Sequence, residues 1–221
     1  MKLAALAAVL LFAGCASAGT GVTDIDAMET TDAPPMIDAP PMIDAPVTCT
    51  SPMMVNLLTN PAFDLTPVGM GWTETQLDNE TIIRGDSLIP EDTAPNLAWL
   101  GGVPITNGTD ALDQTVMVPA STTAISMSGR YQTRSSETTA NLDTAKIGVQ
   151  PMVGNTYIGP THDLSNSTNA AAWTDFNVVL PAAMLAGQTV RMHLTSTSGN
   201  ATLPTSFYVD TIALTATYCP P

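Results

Sequence analysis

Residues 206–218 read SFYVDTIALTATY, a run rich in β-branched residues that pack well on a pleated strand and are less favoured in a helix. Comparable runs precede it: MVNLL at 54–58, TIIR at 81–84, LAWL at 97–100, DQTVMVP at 113–119 and AISMSGRYQTR at 124–134. AKIGVQPMVG at 145–154, WTDFNVVLP at 173–181 and TVRMHLTST at 189–197 complete the set. Gly, Pro, Asn, Asp and Thr clusters separate them, and no 3.6-residue periodicity is sustained, so the pattern predicts an antiparallel β-sandwich. One short helix is expected, LPAAMLAG at 180–187, closed by Gly187. Alternation places Ile125, Met127, Gly129 and Tyr131, and Val190, Met192 and Leu194, on core-facing sides of two strands.

The chain ahead of this region has a different composition. MKLAALAAVLLFAGCASA carries one charge at Lys2, an apolar run and then small residues, the pattern of a secretory signal too short to remain as a membrane span. The step FAGC at 12–15 resembles the lipobox of bacterial lipoproteins, with Phe12 where Leu is usual, and implies cleavage after residue 14 and lipid on Cys15. Ala16 and Ser17 lack the aspartate that retains such proteins at an inner membrane, which implies anchoring at a surface-facing outer membrane. Ala16-Ser17-Ala18 also fits ordinary cleavage, so secretion as a soluble protein stays open. DAPPMIDAPPMIDAP at 32–46 follows. Paired prolines exclude helix and interior strand, and the aspartates keep the segment solvated, so residues 15–48 are expected to form an extended, disordered tether. No basic flank accompanies the prolines to suggest a ligand for an aromatic groove. Residues 49–221 are then the folded domain.

Three cysteines in an exported chain leave one over when two pair, and Cys15 is accounted for by lipid. Cys49 and Cys219 bracket the domain, and a disulfide between them is expected. The 221 residues carry 20 acidic and six basic side chains, a net charge of −14. Such a surface excludes nucleic acid as a partner and disfavours docking on anionic lipid headgroups, while calcium is the natural cation outside the cell.

The opening NLLTNPAFD at 56–64 with Gly71-Trp72, and SFYVDTIAL at 206–214, resemble the first and last strands of galactose-binding-like jelly rolls, a group that includes many carbohydrate-binding modules. AWLGG at 98–102, DQTVMVPA at 113–120 and AGQTVR at 186–191 are similar to the family's intervening strands. The resemblance implies an all-β jelly roll of two antiparallel sheets. It also implies a structural calcium ion held by Asp64 and Asp210, although Asp64 stands for the usual Glu and Thr211 for a second Asp. The bland alternative for Asp210 is a carboxylate accepting backbone hydrogen bonds at a strand edge.

Sugar binding in such modules rests on exposed aromatic rings with polar groups beside them. Trp72, Trp99 and Trp173 are expected to pack the core or the strands, and Phe63, Phe176 and Phe207 to be internal. Tyr131 and Tyr157 remain as ligand-binding candidates, with Gln132, Arg134, Asn155 and His162 near them in sequence. His162 in the loop GPTHDLSNST and His193 in a strand lack the spaced partners of a metal or nucleophile motif, so no catalysis is expected. Sequons at Asn79, Asn107, Asn166 and Asn200 are read as incidental to a Thr-rich chain. The expected protein is a non-catalytic lipoprotein whose jelly roll binds polysaccharide, or alternatively a structural or adhesive protein recognising protein partners.

Overall fold

The computed structural model describes residues 49–85, 89, 91–168, 170–199 and 202–220. The signal peptide, Cys15 and the DAPPMI tether lie outside the described residues. Among the described residues there are eleven strands and one helical turn: β1 (Met53–Asn56), β2 (Thr73–Thr75), β3 (Ile83–Arg84), β4 (Leu97–Gly101), β5 (Gly108–Met117), β6 (Thr122–Arg134), β7 (Thr144–Pro151), β8 (His162–Ser165), β9 (Thr174–Leu180), α1 (Ala182–Leu185), β10 (Thr189–Ser198) and β11 (Ser206–Tyr218). They form two antiparallel sheets, one ordered β3-β4-β11-β6-β9 with β1 also on β11, the other β2-β5-β10-β7-β8. This is the jelly-roll sandwich expected from the sequence.

Alternation sorts the side chains. Met127, Val209 and Leu214 of the first sheet and Leu112, Val149, Met192 and Leu194 of the second are fully buried in one cluster. Burial of each such side chain contributes about 1.5–3 kcal/mol. α1 is the single turn expected, and Gly187, with φ of 73°, takes the chain out of it. Two strands were not expected. Residues 162–165, anticipated as loop, form β8, because pairing with β7 buries Leu164 in spite of a polar sequence. β2 is three residues on the edge beside β5.

Cys49 and Cys219 form the expected disulfide, with Cα atoms 5.7 Å apart. It lies where β1 runs antiparallel to the end of β11, Met53 opposite Tyr218.

Candidate ligand-binding face

The outer face of the five-stranded sheet is set by the same alternation that builds the core. In β10, Val190, Met192 and Leu194 point inward, so Arg191, His193 and Thr195 point outward. Register then decides the neighbours. Asp113 of β5 and Gly148 of β7 stand on either side of His193, Thr115 and Gln150 on either side of Arg191, and Lys146 beside Thr195 with Asp163 of β8 beyond it.

These side chains form one polar network. Asp113 Oδ1 lies 2.6 Å from His193 Nδ1 and 3.3 Å from Arg191 Nε. The Arg191 guanidinium donates to Gln150 Oε1, and Gln150 Nε2 donates to the Asn155 carbonyl at 3.3 Å. Lys146 Nζ is 3.1 Å from Asp163, which also accepts from Thr161 Oγ1 at 2.8 Å. Burial alone would raise the Asp163 carboxyl, but the hydrogen bonds from Thr161 and Lys146 and the lysine charge outweigh it and hold the group below its ordinary value.

Tyr157 sits in the middle of this network. Ile158, next to it, hydrogen bonds through its N–H to the Val149 carbonyl at 2.8 Å and packs against the core, which turns Tyr157 outward. Its ring lies over Gly148: a Cβ there would come 2.5 Å from Tyr157 Cδ1 and 2.8 Å from Thr161 Cγ2. The ring centroid is 6.0 Å from that of His193 and 5.6 Å from Lys146 Nζ. Burial, with the Asp163 charge adding, pushes the phenol up to about 12, so it remains protonated and keeps its donor at neutral pH.

The other sequence candidates fall elsewhere. Tyr131 is half-buried against the core, its centroid 4.9 Å from His162 and 6.4 Å from Phe176. It lies on the core side of β6, where the alternation places it, and apart from the network around Tyr157. His162 stacks on Phe176 at 4.3 Å with a 7° interplanar angle, and burial pushes it below its ordinary value. Gln132 is buried and donates to the Ala171 carbonyl, while exposed Arg134 lines a separate polar hollow of about 680 Å³ at the end of the sandwich. Trp72 is in the core as expected, donating through Nε1 to the Asn60 carbonyl at 3.0 Å. Trp99 and Trp173 pack a second cluster with Ile89, Leu97 and Tyr208, and the Arg84 guanidinium covers the Trp99 ring at 4.0 Å.

Asp210 is fully buried in β11, beside a register shift where Thr211 takes φ of 49°. Its carboxylate accepts from the N–H groups of Thr93 at 2.8 Å and Thr211 at 2.7 Å. Asp64 accepts the Asn96 N–H at 3.0 Å. Burial, with the Asp64 charge adding, pushes Asp210 up to about 6, opposed by the hydrogen bonds from Thr93 and Thr211. Among the described residues no group of three or more His, Cys, Asp or Glu is arranged around a metal position. A cation here would take two carboxylates and complete its shell from carbonyl or water oxygens, which calcium's flexible coordination accepts. Two acids whose charges oppose each other, Asp210 fully buried and Asp64 half-buried, fit such an ion in donor type and in charge.

The network residues Asp113, Lys146, Gly148, Gln150, Asp163, Arg191 and His193 were not anticipated as a site. The signal was the alternation in TVRMHLTST, which exposes Arg191 and His193 whenever it buries Val190, Met192 and Leu194.

No family model matches the chain, and no curated protein does. Among solved structures it is similar to arabinose-bound MgGH51 α-L-arabinofuranosidase, with 14% identity and a TM-score of 0.51 over 73% of this chain and 26% of that one. It is also similar to TmCBM61 in complex with beta-1,4-galactotriose, with 16% identity and a TM-score of 0.45 over 72% of this chain and 97% of that one. A family 16 carbohydrate-binding module gives 16% identity and a TM-score of 0.43 over 72% and 99%. At these identities the likeness is one of fold alone.

Proposed function

We propose that this protein binds a glycan on the outer face of the β2-β5-β10-β7-β8 sheet and performs no chemistry on it. The observation that carries the reading is Tyr157, laid over Gly148 in the middle of a band of hydrogen-bonding groups. A pyranose ring stacks its apolar face on an aromatic ring while its hydroxyls meet donors and acceptors around it. Gln150, Lys146, Arg191, His193, Asp113 and Asp163 supply both kinds. Their mutual bonds hold them in place before a ligand arrives, which reduces the ordering cost of binding. Paired strands supply the polar groups, and the loop between β7 and β8 lays Tyr157 over them. The same proposal includes a structural calcium ion, which Asp64 and Asp210 would hold away from this face.

Tyr157→Ala is expected to lower affinity for a glycan bound by the full chain at least tenfold, since one lost stacking contact worth about 1.5 kcal/mol is about a factor of ten. Gly148→Val, which displaces the ring without removing it, is expected to do the same. Calorimetric titration against a panel of soluble polysaccharides makes the measurement, and binding indifferent to both substitutions places the ligand elsewhere.

The displayed position belongs to the same proposal: export, lipid at Cys15 and the Pro-rich tether would hold this face away from a membrane surface. Incorporation of labelled fatty acid that disappears in Cys15→Ser is the expected result, and equal labelling of the two chains rejects the anchor.

A further inference from the structure

The band of polar residues does not run the whole length of the face. At the end of the strands beyond Arg191, the outward positions become apolar. Met117, opposite Thr189, is 64% exposed, Met152 is 48% exposed and Val153 is 88% exposed. These are not loose side chains scattered over the surface. Met152 follows β7, yet its sulfur lies 3.8 Å from Thr115 Oγ1 on β5, so the side chain reaches across β10. The Met117 sulfur lies 3.6 Å from Thr189 Oγ1 on β10. Two thioethers therefore lie along the sheet, next to the Arg191 and Gln150 pair and continuous with the Tyr157 platform. Gly148 and Met117 stand two pleats apart along the strands, roughly 13 Å at about 3.3 Å per residue, within the span of an oligosaccharide.

Charge narrows the occupant. Arg191 and His193 share Asp113, and Lys146 is paired with Asp163. Arg191 and Lys146 against Asp113 and Asp163 make two cations and two anions on the face, and the whole chain carries −14. A polyanionic glycan would meet no surplus positive charge and a repelling protein. An uncharged glycan meets groups already balanced. Methionine is apolar, flexible and polarizable, suited to contact methyl groups of varied placement, and offers little to a bare hydroxyl.

We propose that the face selects an uncharged glycan bearing apolar substituents, such as O-acetyl, O-methyl or deoxy groups, and that Met117 and Met152 form the shelf that receives them. The inference rests on the glycan-binding reading and adds the class of ligand. Each methyl buried on the shelf multiplies affinity by about four.

The test compares matched polymers on the full chain: acetylated xylan and glucomannan against their alkali-deacetylated forms, and methylcellulose against unsubstituted soluble cello-oligosaccharides. The expected result is tighter binding of the substituted member by fourfold or more, with the difference lost in Met117→Gln/Met152→Gln while the unsubstituted member binds unchanged. Equal binding within every pair overturns the shelf and leaves glycan binding standing. No binding to any member overturns both. A fall in solution mass of the double variant, read by sedimentation, makes the shelf a contact between two copies of the chain and also overturns the proposal. Because both methionines are exposed, the variants retain the fold, which thermal unfolding verifies.

Discussion

Replacing Cys49 and Cys219 together by serine is expected to lower the free energy of unfolding by up to about 5 kcal/mol, the chain-entropy value for a long closed loop. The bridge spans 170 residues, so its removal releases nearly the whole described domain in the unfolded state. For a domain of this size about 1 kcal/mol corresponds to about 2–4 °C, which sets an expected fall in Tm of roughly 10–20 °C. The native state gives the loss a location. All four side chains of β1 are exposed, so packing does little to hold the strand, and its hydrogen bonds to β11 are its main attachment besides the bridge. Cys219 also joins the start of β6, through its N–H to the Ser121 carbonyl at 3.3 Å and its carbonyl to the Ser121 hydroxyl. Amide exchange in residues 53–56 should accelerate first. Thermal unfolding of the variant, and of the parent with reductant, measures the effect; coincident curves for bridged and unbridged chains would show that the loop contributes nothing.

The strands that could be read from the sequence are those whose side chains meet water on one face and the core on the other. β10 and β11 are legible for this reason, as is β6, where the pattern placed Tyr131 against the core. β8 was hidden because only Leu164 of its four residues is buried, and the pairing that makes it a strand is long-range. β5 begins five residues before the run that announced it: Gly108 and Asp110 are poor strand formers, but Asp110 is held by the N–H groups of Leu77 at 2.9 Å and Gly101 at 2.8 Å. Apart from Tyr157, the proposed ligand face was illegible for a related reason. Its residues come from β5, β7, β8, β10 and the loop between β7 and β8, and what joins Asp113, His193 and Gly148 is register, which one sequence does not display. The glycine is the clearest case, since its role is the ring of Tyr157 resting where a side chain would be.

Asp210 gives the fold an expected pH dependence of unusual sign. Its carboxyl is pushed up to about 6, first by burial and then by the charge of Asp64, from an unfolded value of about 3.9. Between these values the folded state holds a proton that the unfolded state has released, so stability falls as pH rises from about 4 to about 6, by about 3 kcal/mol in total. Asp110, raised by burial, acts in the same direction. His162, lowered by burial, acts in the opposite one, because the unfolded imidazole takes up a proton below about 6.5 that the folded one resists. The difference between the parent chain and Asp210→Asn therefore isolates the carboxylate, and that difference should change across pH 4–6 and be flat above it. Arg130 stands opposite Asp210 in the register but is paired with Asp92 and reaches Asp175 at 3.0 Å, so its charge is already taken up by two other carboxylates. A calcium ion would offset the charge on Asp210. By holding Asp210 ionised it should stabilise the fold at pH 7 and have little effect at pH 4, where Asp210 keeps its proton. Melting in excess calcium and in chelator, repeated at both pH values, tests the two halves separately. Equal Tm at pH 7 removes the ion, whereas parallel pH curves for the parent and Asp210→Asn remove the carboxylate as the titrating group.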